Sequence, residues 1–337
     1  MRVKRVTIVD VARRAGTSTA VVSYVLNPGT KPVSDGLRQR VLEAISELDY
    51  RPDRHARALR RRSQWGQVGL LLPDVTLPFY GMLAGALEAE ARSRQQLVLI
   101  GNTEYDPALE VELAHSFVDV GVDKLLVAGI ADGRALSAVC DAARVPVVWV
   151  HNNRGAIGSR RVCSDHVRAG GLAAEHLTRV HDSVAPWFVG GFTDQHVQHG
   201  DRDTVRERYE GFTAVAGAHR HVATDLTLAG AYRAVGDSLA RHGVPDGIVV
   251  GTFLQSAAVL RALADAKVRV PQHVPVITFD ADERNNYAPV ALTAVQQDIG
   301  EIARRAIDLT LGPGTDTSAP DERIGVTLRV AASCGCE

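Results

Sequence analysis

The 337-residue chain has no apolar run approaching the roughly 20 residues that cross a bilayer. Its opening stretch, MRVKRVTIVDVARRAG, is broken by charge instead of leading to a cleavage site, so neither membrane insertion nor export is expected, and the location implied is the cytoplasm. Cysteine is scarce. Cys140, Cys163, Cys334 and Cys336 are too few and too scattered for a disulfide framework. The last two form a Cys-Gly-Cys beside the C-terminus, where chain ends fray, so no metal site and no cofactor is expected. The motifs of common enzymes are missing as well: no P-loop, no GxSxG elbow, no HExxH and no convincing carboxylate pair. No catalytic residue is expected, and His151 with Asp280 is explained equally well by binding.

What remains is a globular composition, 45% hydrophobic and 23% charged, in a chain long enough for two or three folding units. The net charge of −1 conceals an asymmetry. Through Arg62 there are 14 Lys and Arg against six acids, a net of +8, which leaves −9 for the rest. A basic head on an acidic body suits a polyanion-binding module attached to a domain that does not itself bind nucleic acid.

Within the head, Thr7 followed three residues later by Asp10 has the form of a capping box, so a helix is expected from Ile8 until Gly16 breaks it. Ser18 is a second N-cap candidate before TAVVSYVL, and a short turn between the two helices gives a helix-turn-helix outline. Asn27-Pro28-Gly29 ends the second helix, and Ser34 caps a third with Leu37, Val41, Ile45 and Leu48 at helical spacing. In this geometry the second helix enters the major groove: Thr19, Ala20 and Tyr24 would face bases, while Ser18, Ser23 and Asn27 are placed for phosphates. The bland alternative is an ordinary amphipathic helix with Val21, Val22 and Val25 as core.

VTIVDVARRAGTSTAVVSYVLN and VSDGLRQRVLEAISELDYRPDRHARALR resemble, without gaps through Arg60, the DNA-binding head of the lactose-repressor/galactose-repressor (LacI/GalR) family of transcription regulators. The resemblance implies a helix-turn-helix domain over residues 1–50 and a hinge helix over 51–65 that forms when two copies meet in the minor groove. Leu59 would then be an apolar wedge between base steps, with Arg57 beside it to neutralise phosphate.

From Trp65 the pattern changes to short apolar runs alternating with helical stretches: VGLLL, LVLIG, KLLVAG, VPVVWV, WFVGG, GIVVG and VPVITF. Such runs signal parallel strands buried on both faces, hence an α/β class with doubly wound sheets, and their number exceeds one sheet. The resemblance extends over this body, residues 66–337, and implies two periplasmic-binding-protein-like lobes with chain crossings near Cys163, Thr293 and Arg323. Carried over position by position, it gives an effector site of Phe79, Tyr80, His151, Arg208, Thr252, Asp280 and Gln297. His151 stands where the family often has Asp, and Thr252-Phe253 where Asn-Asp is usual, which counts against a standard sugar. DQHVQHGDRD, with His196, His199, Asp201 and Asp203, reads as a polar surface excursion, with a metal loop as the lesser reading.

The function expected is an effector-controlled repressor that binds a pseudo-palindromic operator as a homodimer and takes a sugar or related small polar metabolite between its lobes. The competing classes are a solute-binding protein, which the basic head argues against, and an enzyme, for which the chain offers no motif.

Overall fold

Gly16 ends the first helix because only its backbone enters the left-handed region cheaply, at φ 64°. A computed structural model of the chain describes residues 8–26, 33–48, 65–129, 133–151, 160–193, 195, 197, 201–312 and 322–336, in two units that span residues 1–65 and 66–337. The first holds α1 (Ile8–Arg14), α2 (Thr19–Leu26) and α3 (Asp35–Glu47). After α1, the Thr17 amide donates to the Ala12 carbonyl at 2.9 Å and the Gly16 amide to the Arg13 carbonyl at 3.3 Å, the bond pair of a Schellman motif. Ser18 caps α2, its Oγ accepting from the Val21 amide at 3.3 Å. Ser34 holds the N-cap position of α3, yet its hydroxyl makes no cap hydrogen bond. Small aliphatic side chains (Val11, Ala12, Ala15, Val22, Val25, Val41 and Ala44) close the core. The expected roles of Thr7, Asn27, Arg57 and Leu59 fall outside the described residues.

The larger unit begins with β1 (Gly66–Leu72), α4 (Pro78–Ser93), β2 (Gln96–Asn102), α5 (Pro107–Val120), β3 (Lys124–Ala128), α6 (Gly133–Ala143), β4 (Val147–Val150) and β5 (Arg160–Ser164). It continues with α7 (His166–Val180), β6 (Trp187–Val189), α8 (Arg202–Ala216), β7 (Arg220–Val222), α9 (Leu228–His242), β8 (Ile248–Val250), α10 (Phe253–Asp265), β9 (Val276–Phe279) and β10 (Thr293–Gln297). Then come α11 (Ile299–Leu311), β11 (Glu322–Ile324) and β12 (Val326–Arg329). The strands form two sheets, ordered β11-β5-β4-β3-β1-β2 and β12-β10-β9-β8-β6-β7. All neighbours are parallel except β10 and β12, so the second lobe carries one antiparallel edge that the parallel reading did not anticipate. Leu70, Leu71 and Leu72 in β1 are fully buried because helices cover both faces of the sheet.

Three crossings join the lobes. The chain leaves the first sheet after Ser164, returns to it after Gln297 through α11, and passes from one sheet to the other at Gly325, between β11 and β12. Two crossings are closed by helix caps: Asp165 accepts from the Arg168 amide at 2.8 Å and Asp298 from the Glu301 amide at 2.9 Å. The Asp165 amide donates to the Ile324 carbonyl at 3.0 Å, which ties the first crossing to the third. In the second lobe α7 and α8 approach so closely that a Cβ on Gly170 would lie 1.8 Å from the Arg208 carbonyl oxygen, and one on Gly211 1.8 Å from that of Val167.

Candidate functional site

The carboxyl ends of the strands in both lobes face one cleft, where α/β sheets place their ligands. It holds a cavity of about 370 Å³, within the range of small-molecule sites. The first lobe contributes Phe79 and Tyr80 from the start of α4 and His151 just past β4. The second contributes Asp201 and Arg208 from α8, Asp225, the start of α10 at Thr252 and Phe253, and Asp280 just past β9.

His151 and Asp280 occupy matching places. Each follows the fourth strand of its lobe, each has a left-handed backbone (φ 74° and 56°), and each donates its amide to the next strand, to Val162 at 2.8 Å and to Val295 at 2.9 Å. Non-glycine residues enter this region rarely and at a cost that the surrounding structure must sustain, which is common where ligands are held.

Around Asp280 the polar groups form one buried network. Arg208 Nη2 donates to Asp280 Oδ2 at 2.6 Å, Arg208 Nη1 to the Gly251 carbonyl at 2.9 Å, and Gln297 Nε2 to Asp280 Oδ2 at 2.8 Å. The guanidinium carbon lies over the Phe279 ring, 4.2 Å from its centroid, within reach of a cation–π contact. Arg208 Nε and Gln297 Oε1 are buried without a hydrogen-bond partner among the described residues. Gln297 does not line the cavity; it acts through Asp280.

The other network crosses the cleft. His151 Nε2 lies 2.6 Å from Asp201 Oδ2, an oxygen that also accepts from Thr204 Oγ1 at 2.7 Å and from the Tyr80 hydroxyl at 3.5 Å. The Phe79 ring sits 4.0 Å from the His151 ring, centroid to centroid, tilted by 38°. Burial opposes ionisation of Asp201, but attraction to His151 and hydrogen bonds from His151 and Thr204 outweigh it and hold the carboxyl below the usual carboxylate range. Burial, then the charges of Arg208 and His151, drive His166 well below the usual imidazole range, so its ring is neutral. Burial and the Asp201 charge raise the Tyr80 hydroxyl, which stays protonated.

Because the folded carboxyl of Asp201 is depressed, its stabilisation is present above the unfolded value of about 3.9 and is lost as pH falls through the lower folded value. Asp201→Asn is therefore expected to lower the melting temperature at neutral pH by an amount that shrinks below about pH 4. Parallel melting curves of the two proteins from neutral to acid pH check this; a constant gap would contradict it.

Residues 7–53 match the model of the bacterial regulatory proteins of the lacI family, and residues 181–334 that of the periplasmic binding protein-like domain. The chain is 29% identical over 305 residues to the HTH-type transcriptional regulator DegA of Bacillus subtilis (strain 168), which covers 88% of each protein. It is 27% identical over 329 residues to the ribose operon repressor of Escherichia coli (strain K12), which covers 95% of this chain and 97% of that one. It shares its fold with the lac repressor dimer bound to operator and the anti-inducer ONPF, with a TM-score of 0.74 at 20% identity over 98% of this chain and 99% of that one. The chain belongs to the lacI family of bacterial regulatory proteins.

As a member of this family it is a DNA-binding transcription regulator. At the cap of α2 Ser18 is exposed, and on the helix Ala20 is exposed while Thr19, Ser23 and Tyr24 are half-buried. In the cleft, Phe79, Tyr80, His151, Arg208, Thr252 and Asp280 line a single cavity. Sequence reasoning placed Asp201 in a surface excursion, whereas it is the N-cap of α8 and the partner of His151; Asp203 pairs with Arg206 at 3.0 Å, and His196 and His199 lie outside the described residues. The cap position was the available signal, since Asp201 stands three residues before Thr204 at the head of an amphipathic stretch. Tyr105, Asp225 and Leu226 in loops and Leu228 at the start of α9 also line the cavity and were missed, because loop and helix-end residues carry no periodicity. Among the described residues no helix is long and apolar enough to cross a membrane.

Proposed function

We propose that the protein is a cytoplasmic repressor that binds a pseudo-palindromic operator as a homodimer and is controlled by a neutral, polyhydroxylated ring compound, a sugar or a nucleoside, bound between its lobes. The observation that carries the ligand class is the balance of charge in the cleft. Among the described residues that line it, Asp201, Asp225 and Asp280 stand against Arg208 alone, and even with His151 counted as a cation the carboxylates are in excess. An anionic effector would meet net repulsion, whereas hydroxyl groups can donate to the carboxylates and accept from Arg208 Nε. Phe79 and Phe253 supply apolar faces for the ring. The lac repressor dimer on its operator with an anti-inducer supports the dimeric reading, and the name of the ribose operon repressor supports the ligand class.

Selection of genomic fragments with the purified full chain, followed by fluorescence anisotropy on the enriched duplex, tests this. A palindromic site is expected, with affinity shifted at least about fivefold by one neutral sugar or nucleoside, the low end of ordinary allosteric coupling. Absence of any sequence preference at moderate salt would refute the DNA reading. A response to carboxylated or phosphorylated compounds alone would refute the ligand class.

A further inference from the structure

The Cys-Gly-Cys at the C-terminus is not frayed. After β12 the chain enters a short 3-10 turn, Ala332–Cys334, held on the second sheet by Ser333. The Ser333 amide donates to the Ala291 carbonyl at 2.9 Å, and Ser333 Oγ accepts from the Thr293 amide at 2.8 Å. Gly335 then takes a left-handed backbone, φ 79°, and the chain turns so that both sulfurs stay on the side of α7. Two imidazoles wait there: His176 in the last turns of that helix and His181 at its C-cap.

His176 Nε2 and His181 Nε2 are 3.3 Å apart. Cys336 Sγ is 3.6 Å from the first and 3.3 Å from the second. With Cys334 Sγ, these four atoms lie within 4.8 Å of one another. A tetrahedron with metal–nitrogen bonds of about 2.0 Å and metal–sulfur bonds of about 2.3 Å has edges of roughly 3.3 Å (N to N), 3.5 Å (N to S) and 3.8 Å (S to S). The three spacings among His176, His181 and Cys336 fall close to those edges, and Cys334 Sγ completes the group within 4.8 Å. We propose that His176, His181, Cys334 and Cys336 form a tetrahedral site for a divalent transition metal of the zinc class.

The donor set selects the metal. Two thiolates and two imidazoles suit zinc and exclude magnesium and calcium, which take oxygen ligands. Binding one divalent ion releases two thiol protons, so two thiolates and the ion leave a neutral site, as a cluster with Cys334 only 3% and His176 only 9% exposed demands. Ser333 and Gly335 hold the thiols in place before metal arrives, which reduces the ordering cost. The ion would join α7, which starts at the first lobe crossing, to the segment after β12, which starts at the third.

The test uses the full chain without an affinity tag, reduced and stripped with chelator, then titrated with zinc and with cobalt(II). One ion per chain is expected, with the visible bands of tetrahedral cobalt bound to two thiolates and a higher melting temperature with zinc than without. Cys336→Ser and His181→Gln alter the less buried ligands and are expected to fold, and each lowers affinity by more than about 100-fold. An octahedral cobalt spectrum, or metal retained at full stoichiometry in the double variant Cys336→Ser, His181→Gln, would overturn the proposal.

Discussion

Replacing Arg208 by methionine is expected to abolish the effector response and to destabilise the chain by about 3 to 5 kcal/mol, the range for breaking a buried ion pair from one side. Methionine fills the volume of the stem, so the loss is electrostatic and not a cavity. Asp280 keeps the Gln297 side chain and the Gln297 amide at 3.1 Å, but it loses the Arg208 cation, and the Gly251 carbonyl loses its guanidinium donor. The companion variant Asp280→Asn tolerates the same left-handed backbone. Combined with Arg208→Met it removes both charges, so the double variant is expected to recover a large part of the stability and none of the ligand binding. Thermal unfolding of the four proteins of the cycle, with ligand titration by calorimetry, separates the two effects. A cost below about 1 kcal/mol for Arg208→Met would show that the pair is not desolvated as drawn.

Gly170→Ala is expected to destabilise the second lobe by about 3 kcal/mol or more, at the upper end of overpacking costs. Helix propensity alone predicts the reverse, a gain of up to about 1 kcal/mol on exchanging a helical glycine for alanine. Contact decides. The added Cβ would meet the Arg208 carbonyl oxygen at 1.8 Å and the Phe212 amide nitrogen at 2.9 Å, which are backbone atoms that no side-chain rotation can move aside. The neighbouring Gly171 is the control: the nearest atom to its Cβ is 3.7 Å away, so Gly171→Ala should follow propensity and be neutral or stabilising. Because the clash falls on Arg208 itself, Gly170→Ala should also weaken effector binding, whereas Gly171→Ala should not. Equal melting temperatures for the two variants would refute the close approach of α7 and α8.

The legibility of the sequence follows burial. Central strands such as β1, β3 and β8 are unbroken apolar runs because helices cover both faces, and they can be read directly. β7 (RHV), β11 and β12 were not read as strands, since they lie at sheet edges and keep polar, partly exposed side chains; β5 (RRVCS) and β10 (TAVQQ) lie inside their sheets, but polar residues interrupt their apolar runs. Ser34 shows the limit of capping rules: the residue type and position are right, and the hydroxyl still bonds nothing at the cap. In the cleft, the aromatic pair, His151, Arg208 and Asp280 were legible through family resemblance, while Asp201 was not, because its role depends on a histidine 50 positions earlier in the chain. The cluster at the C-terminus was illegible for the same reason. Cys336 meets its histidine partners across 155 and 160 residues, and no local spacing rule spans that distance.

The matching left-handed turns at His151 and Asp280 restrict how the regulator can change its ligand during evolution. At each lobe's fourth strand tip the main chain admits few side chains without strain, chiefly asparagine, aspartate, histidine and glycine. Apart from glycine these are short polar groups that exchange hydrogen bonds with hydroxyls. Drift at either tip therefore samples new hydrogen-bonding patterns at little cost, while bulky apolar replacements carry a backbone cost before any ligand selects against them. The two seats stay receptive to oxygen-rich compounds, and lineages sharing this frame can diversify among such compounds by single exchanges without remaking the sheet beneath.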